Sequence, residues 1–249
     1  MDILLSCTMN ETQKILSKKK YIILFIISVF VTITASVINI ITGQSLGAAL
    51  FNNISLPITI LNFMSSLILP LFILMLTSDS FSGEFLDSSI VMSLVRPISR
   101  YKIYISKIIS IGVCTFAFLL GTFLVALIAS LFGGRINDII YMIPKSFISY
   151  LAAVIPMLLI AVLTAFMAQF TKSGSATIVL MILASVFLST VSIFVPEIVT
   201  FLPTTYFGWY QNFYSGTDII RTLNELLYIL AYGIIFLSAG SYLFERKDF

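Results

Sequence analysis

Residues 109–132 read ISIGVCTFAFLLGTFLVALIASLF, a run without Asp, Glu, Lys, Arg or His. At a rise of about 1.5 Å per residue, some twenty helical residues cover the roughly 30 Å hydrocarbon core of a bilayer and satisfy their own backbone hydrogen bonds there. Five more stretches have the same character, and the six spans read as 21–41, 56–77, 109–132, 147–169, 176–195 and 226–244. The composition agrees: 59% of residues are hydrophobic, 10% are charged and the mean hydropathy is +1.08, far from that of a soluble domain. The expected fold is an all-α integral membrane protein forming one domain over 1–249, since no internal repeat divides the spans into two halves.

Basic residues set the expected orientation. Lys14, Lys18, Lys19, Lys20, Arg96, Arg100, Lys102, Lys107, Lys172, Arg246 and Lys247 fall on one side of the spans. Only Arg135, Lys145 and Arg221 fall on the other, eleven against three. Both termini are therefore expected in the cytoplasm. The net charge of +3 reports topology, and no basic, aromatic-interleaved face suggests nucleic acid. The first span follows a lysine run but lacks a convincing cleavage site, so it reads as an uncleaved anchor. Cys7 resembles a lipoprotein cysteine without the preceding export segment. With Cys114 inside a span, a disulfide between them is not expected.

Missing chemistry narrows the function. The chain has no His, which removes the usual zinc, haem and Ser-His catalytic arrangements. It has no G-x-x-x-x-G-K-[ST] sequence, so ATP, if it is used, is bound with its Mg by another polypeptide. The chain is not expected to be an enzyme. The spans lack midplane carboxylates of the kind ion-coupled carriers use. Their neutral polar residues, among them Thr32, Thr34, Ser36, Asn39, Asn62, Ser65, Ser66 and Thr164, suit helix–helix hydrogen bonding. Asn39, Asn62 and Ser66 are also the candidates for lining a pathway. Pro70 and Pro156 are expected to kink the second and fourth spans, and Gly112, Gly121, Gly233 and Gly240 to permit close helix packing.

The polar connection 78–107 reads SDSFSGEFLDSSIVMSLVRPISRYKIYISK. Leu86, Ile90 and Leu94 recur every four residues, while Glu84, Asp87 and Ser88 fall toward another face. A short interfacial helix is implied, stopped by Pro97, with Ser99 placed to cap the next helix. The order Glu84, Ser88-Ser89-Ile90, Leu94, Arg96-Pro97-Ile98-Ser99-Arg100 and Lys107 resembles the ABC-2 family of transporter permeases, with Ser88-Ser89 where that family more often has Gly-Thr. The six-span layout, the ending Phe244-Glu245-Arg246-Lys247-Asp248 and an N-terminal segment like an amphipathic elbow helix extend the resemblance.

The resemblance implies a bacterial cell-membrane permease that pairs with a second permease copy or homologue, contacts membrane lipids, and is driven by separate ABC ATPase subunits carrying ATP and Mg. It makes 84–100 the coupling helix, with Glu84, Asp87, Ile90, Leu94, Arg96, Pro97 and Arg100 facing the ATPase. Arg96 and Arg100 could equally meet anionic lipid headgroups. The aromatic outer segment 196–225 is either an interfacial belt or, as the resemblance implies, re-entrant helices closing an outer gate through Phe207, Trp209, Tyr210 and Phe213. Walls rich in Phe and Leu favour a hydrophobic or amphipathic cargo, such as a peptide antibiotic or a drug-like molecule. An ion-gradient-driven carrier, a non-transporting scaffold or sensor, and a Ser-Lys intramembrane enzyme are the competing readings.

Overall fold

The computed structural model describes residues 2–42, 56–86, 98–133 and 136–247. Regular structure among them is entirely helical. Helix α1 (Asp2–Ser17) is separated from α2 (Lys19–Thr42) by Lys18 alone. Helix α3 is composite: α-helical over Leu56–Phe63, a π turn at Met64–Ile68, α-helical again over Leu69–Ser78, a second π turn at Asp79–Gly83 and a last turn at Glu84–Leu86. Then come α4 (Arg100–Gly133), α5 (Ile136–Met167) and α6 (Gly174–Phe194). Two 3₁₀ stretches, Pro196–Phe201 and Pro203–Gln211, lead into the single turn α7 (Asn212–Ser215) and the long α8 (Ile219–Arg246).

Six helices, α2 to α6 and α8, are long and apolar enough to cross a membrane. Four run further than their apolar cores suggest. Helix α4 starts at Arg100 rather than near 109, α5 at Ile136 rather than 147, α8 at Ile219 rather than 226, and α3 continues past Thr77 to Leu86. The polar run 78–82 stays helical because its serine hydroxyls find partners inside the bundle. Ser80 Oγ donates to Leu76 O at 2.8 Å, and Ser82 Oγ lies 2.6 Å from Thr177 Oγ1 and 3.0 Å from Thr171 Oγ1. Pro70 does not break α3, because the π turn before it takes up the place where its ring would meet the preceding turn. The expected interfacial helix falls largely on 87–97, outside the described residues.

Helix α5 is the centre of the bundle, with 67% of its apolar window buried against 11% for α6. Its buried small residues Ala153, Ala161 and Ala165 let neighbouring helices approach. Glycine serves close approach at Gly121, where a Cβ would strike the Phe25 ring 2.6 Å away, and at Gly240, against Tyr104. Gly233, expected to do the same, faces open space.

The hydroxyls of Thr32, Thr34, Ser36 and Thr164 do not bridge helices. Each donates to the carbonyl four residues earlier, at 2.7–2.8 Å, which satisfies it without a neighbour. Interhelical partners are found instead for Asn62 and Ser65.

Tyr104 is fully buried and its hydroxyl has no hydrogen-bond partner. Gly240→Ala should therefore lower the thermal midpoint in detergent by the equivalent of about 1–3 kcal/mol through overpacking. Adding Tyr104→Phe, which deletes the group in collision, should recover most of the loss. A double variant no better than Gly240→Ala would show that the strain lies elsewhere.

Candidate functional site

Lys107 lies on the Ile103–Lys107–Ile111 stripe of α4, all of it buried, and its side chain is 0% exposed. An ammonium group removed from water needs close counter-charges. It has two: Nζ donates to Glu11 Oε2 at 2.9 Å and to Glu84 Oε2 at 2.7 Å. Lys14 closes the group, donating to Glu11 Oε1 at 2.8 Å and to Glu84 Oε1 at 3.4 Å. Two lysines and two carboxylates thus join α1, the last turn of α3 and the second turn of α4. Burial works against ionisation of Glu11, but Lys107 and Lys14 more than offset it and hold its carboxyl below the usual range. Burial likewise disfavours the Lys14 ammonium, and its bonds to Glu11 and Glu84 reverse that and raise its pKa.

A second tie lies beside it. Asp79, in the second π turn of α3, accepts from the Tyr21 hydroxyl and pairs with Lys20, both in the first turn of α2.

The chain's end closes the same region. Phe244 is fully buried against Phe81, Phe85 and Tyr104. Arg100 donates to the carbonyls of Glu245 and Lys247 at 2.9 and 2.8 Å, and Lys247 Nζ donates to Gln169 O at 2.9 Å while sitting 3.9 Å from the centre of the Phe85 ring. Residues near both chain ends therefore share one end of the bundle with the start of α4 and the end of α5. Glu84 and Arg100, from the block resembling a coupling helix, stand at the two feet of the 87–97 segment. Both are engaged within the protein. Asp87, Ile90, Leu94, Arg96 and Pro97 lie outside the described residues.

At the opposite end, Asn62 of α3 receives the aromatic segment 206–214. Tyr210 and Tyr214 hydroxyls each lie 3.1 Å from its Oδ1, its Nδ2 donates to Tyr214 at 2.9 Å, and Ser65 in the first π turn meets the Tyr210 hydroxyl. Tyr210 and Trp209 are buried, and Trp209 Nε1 donates to Thr222 O at 3.0 Å. Phe213 packs edge-on against Trp209, and Phe207 is partly buried against the core. Of the four aromatics, Tyr210 thus meets Asn62 directly, while Trp209 and Phe213 pack on each other and Phe207 packs against the core. Ser66 instead faces outward and bonds its own helix at Phe63 O, while the side chain of Asn39 lies outside the described residues.

Glu11, Lys14, Asp79 and Tyr21 escape a span-by-span reading. The readable signal was Lys107 itself, a cation midway along an apolar i, i+4 stripe that requires a buried acid. Among the described residues no group of three His, Cys, Asp or Glu is placed to hold a metal.

These features define a polytopic helical membrane protein with an ion-paired end and an aromatic, amide-latched end. Residues 47–249 match a family described as "protein of unknown function (DUF2705)", and the chain belongs to that family. Comparison with curated proteins gives no match.

Lys107→Met leaves two buried carboxylates with only Lys14 and should cost about 3–5 kcal/mol in detergent unfolding. Adding Glu11→Gln and Glu84→Gln should restore a substantial part. Because the folded pKa of Glu11 is depressed from 4.5, its contribution is complete above that value and is lost as pH falls through the folded pKa. The contribution of Lys14, raised from 10.5, is complete below that value and is lost as pH rises through its folded pKa. Hydrogen exchange of residues 2–17 should accordingly stay slow across the neutral range and quicken at both extremes; a flat profile would refute the role of these two groups.

The sole tryptophan, Trp209, reports on the other end. Asn62→Leu removes the partner of two tyrosine hydroxyls, a cost of about 1–3 kcal/mol, and should raise acrylamide quenching of Trp209 several-fold; Lys107→Met should not.

Proposed function

We propose that this chain is the permease subunit of an ATP-driven exporter of the ABC-2 type, working in the cell membrane as a dimer or with a homologous permease. Separate ATPase subunits would hold ATP and Mg, and this chain would catalyse no reaction itself. The supporting observation is the cross-tie at the base of the 87–97 segment. Glu84 on one stem is bonded to Lys107 on the other helix at 2.7 Å, and Arg100 on the second stem is held by the chain's end. Stems tied this way make α3 and α4 move as one body, as transmission of force from a partner requires.

In this reading Asp87, Ile90, Leu94, Arg96 and Pro97 meet the ATPase, while Glu84 and Arg100 hold the stems. The elbow role falls to α1, which is tied to those stems through Glu11. The segment at Tyr210 and Trp209 is the outer gate, with Asn62 as its catch. Both chain ends then lie in the cytoplasm. The apolar walls suit a hydrophobic or amphipathic cargo.

Purification of the tagged chain from its native membrane in mild detergent should recover a stoichiometric P-loop ATPase and ATP hydrolysis. Asp87→Lys with Arg96→Glu should abolish that recovery without affecting insertion. Glu84→Lys is a poorer probe, since a third cation beside Lys107 and Lys14 would disturb folding. Reproducible absence of an ATPase would overturn the proposal in favour of an ion-gradient-driven carrier or a scaffold, which collapse of the ion gradient would then separate.

A further inference from the structure

We infer that the junction of α3, α5 and α6 is a binding site for a sodium ion, held by hydroxyl and backbone carbonyl oxygens. Three hydroxyls converge there from three elements: Ser82 in the second π turn of α3, Thr171 in the turn that follows α5, and Thr177 in the first turn of α6. All three residues are buried. Ser82 Oγ lies 2.6 Å from Thr177 Oγ1 and 3.0 Å from Thr171 Oγ1, and the two threonine oxygens are 2.6 Å apart. Two main-chain oxygens adjoin them. Ala168 O is 3.3 Å from Ser82 Oγ and 3.4 Å from Thr171 Oγ1, and Ser173 O is 3.1 Å from Thr177 Oγ1.

Hydrogen bonding alone leaves this group short of positive charge. A hydroxyl carries a single proton, so the three hydroxyls supply three, while six oxygen pairs stand at 2.6–3.4 Å. The main chain does not make up the difference. No amide of the described residues donates to Ala168 O, and Ser173 O already accepts from Thr177 N. The contacts left over set lone pair against lone pair where water is excluded, which is unfavourable. A cation among the five oxygens removes the conflict, because their lone pairs can then face it.

The surroundings specify which cation. Ala168 follows the last residue of α5, so its carbonyl belongs to the negative end of that helix's dipole, and carbonyls at helix C-terminal ends are sodium ligands in membrane proteins. The amide end of α6 would oppose a cation, but Asp79 faces it: its Oδ1 would lie 3.7 Å from a Cβ added at Gly174. Asp79 itself is committed to Lys20 and Tyr21. The five oxygens are therefore neutral, which disfavours calcium and magnesium, whose sites are built on carboxylates, and suits a monovalent ion. Their close spacing selects sodium over the larger potassium. The ion would also fasten the least buried span, since Thr177 and Met181 are the buried residues of α6.

The test follows thermal unfolding of the full chain in mild detergent as sodium chloride replaces N-methylglucamine chloride or potassium chloride at constant ionic strength. Saturating sodium should raise the midpoint by roughly 5 °C and slow hydrogen exchange over residues 171–181, while potassium and N-methylglucamine should do neither. Thr177→Val, which keeps the shape and deletes the hydroxyl, and Ser82→Ala should abolish the sodium response. Thr177→Ser should keep it, as should Thr190→Val, whose hydroxyl bonds its own helix. Hydroxyls serving only in hydrogen bonds would instead give a wild type indifferent to the salt and variants lowered equally in each. Equal midpoints in sodium and N-methylglucamine, an equal response to potassium, or a sodium response retained by both Thr177→Val and Ser82→Ala would each overturn the inference. The wild-type titration decides the matter even where a variant fails to fold. Neither an ATPase nor transport enters the measurement, so its outcome is independent of the exporter reading.

Discussion

An ammonium group fully removed from water can be tolerated only if the protein supplies compensating charge at bonding distance, and Lys107 imposes that requirement on this fold. Neither acid that meets it lies on α4. Glu11 comes from the N-terminal helix and Glu84 from the far end of α3, so the pairing fixes the position of α1 against two crossing helices. It also determines which way α1 faces. Its polar positions Thr8 and Glu11 are buried together with Ile15, while Leu5, Met9 and Leu16 are left outside. A helix that buries its carboxylate and exposes leucine is misplaced in water and well placed at the boundary of a bilayer.

The two ends of the bundle are held by different physics. The ion-paired end depends on charge states and on exclusion of water, so its strength changes with protonation. The opposite end is held by uncharged groups, an amide and two tyrosine hydroxyls around Asn62, with Tyr150 donating to Pro57 O at 3.0 Å nearby. Such bonds are individually modest and insensitive to pH near neutrality. One end is therefore built to stay in register, and the other is built from contacts of a size that can be exchanged.

What could be read from the sequence divides along the same line. Spans declare themselves through unbroken apolar runs, because the bilayer acts on every residue in turn and leaves a local signature. The start of α4 at Arg100 was similarly legible from Pro97 and Ser99. The extension of α3 through the polar run 78–86 was not, since those hydroxyls are satisfied by Thr171 and Thr177, far away in the chain. Lys107 counted only among the basic residues on one side of the spans for the same reason: nothing within a turn of it reveals that Glu11 approaches from the other side. Hydroxyls of Thr32, Ser36 and Thr164 misled in the opposite direction, because a partner four residues back is as good as one on another helix. Tyr210 and Trp209 were recognisable as a group, but their catch at Asn62 depends on the fold of α3.

Helix α3 connects the two ends, and its irregularities fall where it is gripped. The π turn at Met64–Ile68 presents Ser65 to Tyr210, and the π turn at Asp79–Gly83 presents Asp79 to Lys20 and Tyr21 and Ser82 to Thr171 and Thr177. A π turn inserts one residue into the helical ladder, rotating the side chains beyond it relative to those before it. In a uniform α-helix Asn62 and Ser65 would not keep their present bearing relative to Asp79 and Glu84, so both sets of partners could not be met together. The segment between the turns, Leu69–Ser78, is mostly buried and mostly apolar. It is a stiff rod with a shaped fitting at each end, and the spacing of the two π turns decides that the ion-paired and amide-latched ends close on the same helix.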